Sequence, residues 1–204
     1  MLKEPAHQHW REARRQSARA RVLAVAWELV REDGLGGLSL RGLAQRAGIT
    51  TPTVYAYFDS KNAIYDAMFG EAAQSFFDSL AEPIDADDQY RRLMNHNERF
   101  IEFCVSDVPR YQLLFQRSIP GFEPSPQTYA PAVQALELTR SRLADVGVHD
   151  PRHLDLWTAL TTGLVDQQIA NDPGGDRWTR LVDDAARMFL THCRQEEASH
   201  DHPD

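Results

Sequence analysis

The chain has 204 residues, 42% hydrophobic and 25% charged, the balance of an ordinary globular protein. No apolar run approaches the length of a membrane span, and the polar, aromatic N-terminus lacks the apolar core of a signal peptide, so the sequence predicts a cytoplasmic protein with no membrane partner. The net charge of −8 is unevenly spread: residues 1–61 carry 10 Lys+Arg against 6 Asp+Glu, and residues 62–204 carry 12 against 24, so that a basic head, suited to a polyanion, sits on an acidic body.

In chain order, residues 15–33 set Val22, Leu23, Ala26, Trp27, Leu29 and Val30 at helical spacing, and Gly34 follows as a stop. Arg11, Arg14, Arg15, Arg19 and Arg21 precede or open this helix. They read either as a basic arm for DNA or as a solvated tail. A short apolar stretch over 40–47 ends at Gly48, a second runs over 51–58, and a helical pattern then runs from Lys61 to about residue 80. Residues 82–88, acidic and containing Pro83, read as a link. Helices are predicted over 89–105 and 109–116. Residues 118–131 hold Pro120, Gly121, Pro124, Pro126 and Pro131. They are predicted to be largely non-helical, because proline removes an amide donor and clashes with the preceding turn. The next helix reaches residue 146, Asp150 and Pro151 open another that ends at 171, and a last one covers 176–195. Nothing alternates with a period of two, so no sheet is predicted.

Residues 39–58 describe two short helices joined at Gly48. Ser39 can cap the first, and Leu40, Leu43, Ala44 and Ala47 make its buried stripe. Gly48 lies just past the helix end, where a left-handed backbone is needed, and Ile49 fills the turn. Thr50 and Thr51 both fit the cap of the second helix, and Pro52 fits its first turn. Two short helices joined by a tight glycine turn form a DNA-reading helix-turn-helix. Thr51, Pro52 and Thr53 are small enough to approach base edges, and threonine offers both a hydroxyl and a methyl for readout. Lys61 follows Asp59 and Ser60, which look like a helix cap, so its charge has the wrong sign for that end of the helix dipole. A phosphate nearby would offset this; a solvated surface lysine is the plain alternative.

Leu43, Ala44, Ala47, Gly48, Ile49, Thr53, Val54, Tyr55, Tyr57, Phe58, Lys61 and Ile64, at this spacing, resemble the signature of the tetracycline-repressor-like (TetR) family over residues 20–66. Residues 109–115 and 157–163 resemble pieces of one group of its sensor domains. The resemblance implies an all-α chain, with a three-helix helix-turn-helix DNA-binding domain over residues 1–66 and a helical ligand-sensing and dimerisation domain over 67–204. It implies phosphate contacts at Ser39, Thr50, Tyr55, Tyr57 and Lys61, and base contacts at Thr51, Pro52 and Thr53. For Tyr55 and Tyr57, ring packing is the alternative. The implied partners are double-stranded operator DNA, a second copy of the chain and a small-molecule effector, with no cofactor. Two positions depart from the family pattern: Gly42 lies inside a helix, where it costs about 1 kcal/mol relative to Ala, and Ala56 stands where a longer polar residue is common.

The acidic body is amphipathic and aromatic. Phe100, Phe103, Tyr111, Phe115 and Trp157 are candidate walls of a small-molecule cavity, and Asn97, Thr161 and Gln168 candidate polar anchors. The alternative is an aromatic core whose polar groups are satisfied internally. Residues 118–131, with Phe122 and Tyr129, read as a lid or entry, or as an idle surface loop. Small residues Ala159, Gly163, Ala185 and Ala186 suggest that the last two helices pack closely against a second copy.

No GxSxG, P-loop, HExxH or dinucleotide-binding glycine pattern occurs, so no enzyme is predicted. Cys104 and Cys193 lie outside any CxxC and no Cys/His set has zinc spacing, so two reduced core thiols and no metal are expected. His149 and His153 are four apart, but Pro151 between them makes a shared helical face doubtful. The second reading of the chain is a helical ligand-binding or adaptor protein without operator-specific DNA binding.

Overall fold

The computed structural model describes residues 5–200, with the side chains of 10–196 and 198. Among the described residues the chain is all helical: α1 Pro5–Gly37, α2 Leu40–Arg46, α3 Thr51–Tyr55, α4 Lys61–Ala81, α5 Gln89–Ser106, α6 Val108–Phe115, α7 Pro126–Asp145, α8 Pro151–Asn171, a short 3-10 turn Thr179–Leu181, and α9 Val182–His200. No helix there is long and apolar enough to cross a membrane.

The chain forms two compact units. The first takes residues up to Ala73 together with Gln112–Tyr129; the second takes Gln74–Tyr111 and residues from Ala130 onward. The first unit is built around α1, whose Val22, Ala26, Trp27 and Val30 are buried, as are Leu43 and Ala44 of α2, Val54 of α3, and Phe58, Ile64, Tyr65 and Met68. The Tyr65 hydroxyl donates to the Leu35 carbonyl at 2.5 Å, which satisfies the polar end of a buried ring.

α1 starts well before the predicted residue 15. Its residues 10–17 are exposed, and its early part is rich in Ala, Arg, Gln and Glu, all good helix formers. The basic residues Arg11 to Arg21 are therefore carried on a helix, with Arg14 stacked over Trp10 and Arg19 over Phe58 at 4.8 and 4.9 Å. The regular helix breaks at Gly34, where φ is 74°.

Residues 118–131 also differ from expectation. α7 begins inside this stretch at Pro126 and runs through Pro131. Its start is fixed by Asp66 of α4, whose carboxylate accepts from the Ser125 amide at 2.7 Å and from the Thr128 hydroxyl at 2.6 Å. Burial alone would raise the Asp66 pKa, but the bonds from Thr128 and Ser125 outweigh it and hold the carboxyl below its ordinary value. Pro126 takes the first helical position, where no amide is needed, and Pro131 forfeits one bond in an otherwise anchored turn.

The second unit has a core of Leu93, Ile101, Cys104, Tyr111, Leu143, Trp157, Val165, Phe189 and Cys193, with Phe100 and Phe103 against it. The predicted helix over 176–195 is replaced by the 3-10 turn and α9. The physical reason lies at the end of α8: Gln168 accepts from the amides of Trp178 and Thr179 at 2.9 and 3.3 Å, and Asp172 accepts from the amide of Arg177 at 3.0 Å. These side chains take up the amides of the approach to the helix and delay its start.

His96 is buried in this unit, its Nε2 2.9 Å from the Thr139 hydroxyl. Burial, with Arg142 and Arg99 nearby, pushes its pKa down to about 4, from an ordinary 6.5. Between these values the unfolded chain binds a proton that the native state refuses, so stability is present above pH 6.5 and is lost as the pH falls towards 4. Denaturant melts across this window are expected to show that loss, and His96→Gln is expected to flatten it. Equal slopes for the two proteins would remove His96 as the cause.

Candidate nucleic-acid interface

The interface is assembled on α2 and α3. Ser39 caps α2, its hydroxyl accepting from the Gly42 amide at 3.1 Å. This gives Gly42 a reason that the sequence pattern did not show: a Cβ there would sit 2.9 Å from the Ser39 hydroxyl, crowding the capping oxygen.

α2 ends in two back-bonds. The Gly48 amide donates to the Gln45 carbonyl at 3.2 Å and the Ile49 amide to the Ala44 carbonyl at 3.0 Å. This is the Schellman arrangement, and it requires the left-handed backbone that Gly48 adopts, with φ 66°. At the outer end, Arg46 makes two bonds to Glu32 of α1, at 3.0 and 2.5 Å.

Thr50, rather than Thr51, caps α3: its hydroxyl accepts from the Thr53 amide at 3.3 Å and lies 2.8 Å from the Thr53 hydroxyl. Val54 is fully buried and anchors the inner face of α3, as does Phe58 just beyond it. The opposite face is left outward. Ser39, Thr50, Pro52 and Tyr55 are exposed, and Thr51, Thr53, Tyr57 and Lys61 are half-buried. Tyr55 is 49% exposed, so its ring is not core packing, whereas the half-buried Tyr57 lines one open cleft together with Arg21, Val22 and Val25 of α1.

Lys61 is the first residue of α4. Ser60 caps that helix, accepting from the Ala63 amide at 3.0 Å. The Lys61 ammonium lies 5.3 Å from the Tyr65 ring. The exposed and half-buried groups of α2, α3 and the start of α4 thus include hydroxyls, a phenol and a cation, which is chemistry suited to phosphate oxygens and base edges.

Residues 22–68 match the profile of bacterial regulatory proteins of the TetR family. Over this segment the chain is similar to the TetR family. It is 35% identical over 79 residues to the tetracycline repressor protein class C of Escherichia coli, which covers 39% of this chain and 35% of that protein. It is 26% identical over 133 residues to the HTH-type transcriptional activator FasR of Mycolicibacterium smegmatis, covering 65% of this chain and 59% of that one. The chain thus spans about a third to three-fifths of the length of these relatives. Among solved structures, the TetR family transcriptional regulator PfmR from Thermus thermophilus has the same fold, with a TM-score of 0.63 at 18% identity over 83% of this chain and 96% of that one. A protein of unknown function from Rhodococcus sp. RHA1 has a TM-score of 0.72 at 19% identity, over 86% and 95%.

The residues nominated as ligand contacts are divided between the two units. Phe115 belongs to the first unit, where it lines an open cleft of about 480 Å3 with Phe69, Leu113, Phe122 and Tyr129. Phe122 and Tyr129 of the proline-rich stretch pack on the Phe69 ring, with centroids 6.5 and 6.0 Å away. The other six belong to the second unit. Tyr111 and Trp157 are core residues and Phe100 packs against that core. The Tyr111 hydroxyl donates to Asp166 at 2.7 Å, Thr161 donates to the Trp157 carbonyl at 3.0 Å, and Gln168 holds the turn before α9. Asn97 is different: it is buried, and among the described residues its side-chain amide nitrogen has no hydrogen-bond partner.

The structure also brings together His153, His192 and Glu196, which sequence spacing did not reveal because the set joins two helices. The four-residue step from His192 to Glu196 was its one legible trace.

Gly48→Ala is expected to destabilise the chain by about 1–2 kcal/mol, the cost of a side chain in the left-handed region. Thermal or denaturant melts followed by circular dichroism measure this. An unchanged midpoint would mean that the turn does not constrain the head.

Proposed function

We propose that the chain is a DNA-binding transcriptional regulator, a repressor that a small-molecule ligand releases from its operator. The observation that carries this reading is the outward face of α3 and its flanks, held by the Gly48 turn and the Thr50 and Ser60 caps. Lys61 and Tyr55 hold phosphates, with Ser39, Thr50 and Tyr57, while Thr51, Pro52 and Thr53 meet bases. The DNA-binding domain covers residues 1–66, and residues 67–204 serve ligand sensing and dimerisation. Relatives named as a repressor and as an activator both occur, and the repressor reading follows from the tetracycline repressors. The family are regulators, and no enzymatic role is proposed.

Fluorescence anisotropy with operator fragments tests the contacts. Lys61→Ala is expected to weaken binding to all sequences alike and to reduce the slope of log affinity against log salt by about one unit. Thr53→Ala is expected instead to change the preference among operator variants. Unchanged affinity and slope in Lys61→Ala would refute the phosphate contact, and absence of any preferred DNA would favour the second reading, a helical binding protein without an operator.

The functional unit is a two-fold homodimer joined through α8 and α9. Support comes from α8, where Leu156, Ala159, Gly163 and Ala170 are all exposed along one side, and from exposed Met188 of α9. Ala185 and Ala186 do not contribute as expected, because both are buried within their own unit's core. A two-fold dimer also fits a pseudo-palindromic operator. Sedimentation equilibrium is expected to give twice the chain mass at micromolar concentration. A monomer with and without DNA would overturn the dimer.

The effector is a mostly apolar small molecule. Unpaired Asn97 is the polar anchor that packing supports best, since a buried amide without a partner is costly unless something supplies one. Linkage requires that operator DNA weaken effector binding by the same factor as the effector weakens DNA binding.

A further inference from the structure

We infer that His153, His192 and Glu196 form a binding site for a divalent transition ion of the zinc class. His153 is the third residue of α8, while His192 and Glu196 lie one turn apart on α9. The His153 Nε2 is 3.0 Å from Glu196 Oε2, and the His192 Nε2 is 3.7 Å from Glu196 Oε1. One ligand atom from each residue lies within 4.8 Å of the other two. Ligand atoms on a tetrahedral zinc ion, each about 2.0–2.2 Å from it, are about 3.4 Å apart. The separations differ from that spacing by up to about 1.4 Å, which movement shared between two side chains covers.

The surroundings suit such an ion. His153 is 5% exposed, and its imidazole meets the Phe189 ring edge-on at 6.1 Å, so one ligand is fixed in a packed wall. His192 and Glu196 are 49% and 36% exposed at their side chains, which leaves them room to close on an ion and gives it a path in. Two imidazoles and a carboxylate are the donors of open three-ligand zinc sites, where water or another small ligand takes the fourth position. Arg152 lies 3.7 Å from Glu196 and 2.7 Å from Asp150. An ion here would tie the start of α8 to the end of α9. A plain histidine–glutamate pair explains the 3.0 Å contact, and helical spacing explains His192 beside Glu196; the site rests on donor atoms of all three residues falling within 4.8 Å of one another across two helices.

The test uses the full chain, Zn2+ in equilibrium dialysis against a competing chelator, and Co2+ as a spectroscopic probe. Wild type is expected to bind one equivalent that His192→Ala and Glu196→Gln each weaken about 100-fold or more, at least the loss seen when a partner of a metal ligand is removed. His149→Ala and a variant lacking the tail residues His200 and His202 are expected to keep the site. The Co2+ adduct is expected to show the visible bands of a four-coordinate ion, lost in His192→Ala. Zn2+ is expected to raise the Tm of wild type and not that of His192→Ala, whose replaced side chain is exposed and leaves the fold intact. Absence of binding by wild type, or a loss that follows the tail histidines instead of His192 and Glu196, would overturn the site.

Discussion

At Gly48 the backbone enters the left-handed region, and the shape of the head depends on it. That conformation lets the amides of Gly48 and Ile49 fold back on α2 and satisfy carbonyls that would otherwise be orphaned. The chain then leaves α2 in a direction that places Thr50 as the cap of α3. With Val54 and Phe58 buried beneath it, α3 has a single face left to present. A five-residue helix has little stability of its own. It persists because its cap, the turn before it and the buried residues on its inner side all specify the same placement. The rigidity of this face comes from backbone geometry and packing, with the Arg46–Glu32 pair holding the outer end of α2 to α1.

The second unit follows different physics. Its core is aromatic and apolar, yet it admits His96, Asn97, His153, Thr161 and Gln168. Three of these are accounted for by neighbours: His96 by Thr139, Thr161 by its own helix, Gln168 by the turn before α9. Tyr90 and Tyr111 add two further ties, donating to Asp183 and Asp166 at 2.6 and 2.7 Å. Burial and the acceptor Asp183 push the Tyr90 hydroxyl up to about 12, so it stays a donor across the physiological range. Among the described residues, Asn97, His153 and also the Nδ1 of His96 each retain an unpaired buried nitrogen. Buried polar groups in that state are where function is best sought, and both proposals made for this unit rest on such residues.

Much of the head was legible in the linear pattern. Ser39, Gly48, Pro52 and the apolar stripe through Leu43 and Ala44 are local signals, because a cap, a turn and a helix face are each decided by residues within a few positions of one another. Both Thr50 and Thr51 satisfied the local rule for a cap, and the choice between them needed the path of the turn. The candidate ligand residues were less legible. Tyr111, Trp157 and Gln168 share a stripe periodicity with ordinary core residues, and periodicity does not distinguish a ligand wall from a packed interior.

The sequence by itself determined the all-helical class, the helix-turn-helix with its glycine corner, and the polarity of a basic head before an acidic body, because hydrophobic period, caps and charge are properties of neighbouring residues. Only the tertiary structure decided the rest. It carried α7 through Pro131, since Asp66, some sixty residues earlier, holds the start of that helix. It delayed α9, since Gln168 and Asp172 claim the amides ahead of it. It buried Ala185 and Ala186 while leaving Ala159 and Gly163 exposed, and it set His153 beside His192 and Glu196. Each of these depends on groups far apart in the chain, whose meeting is fixed by how the helices pack and not by any local rule.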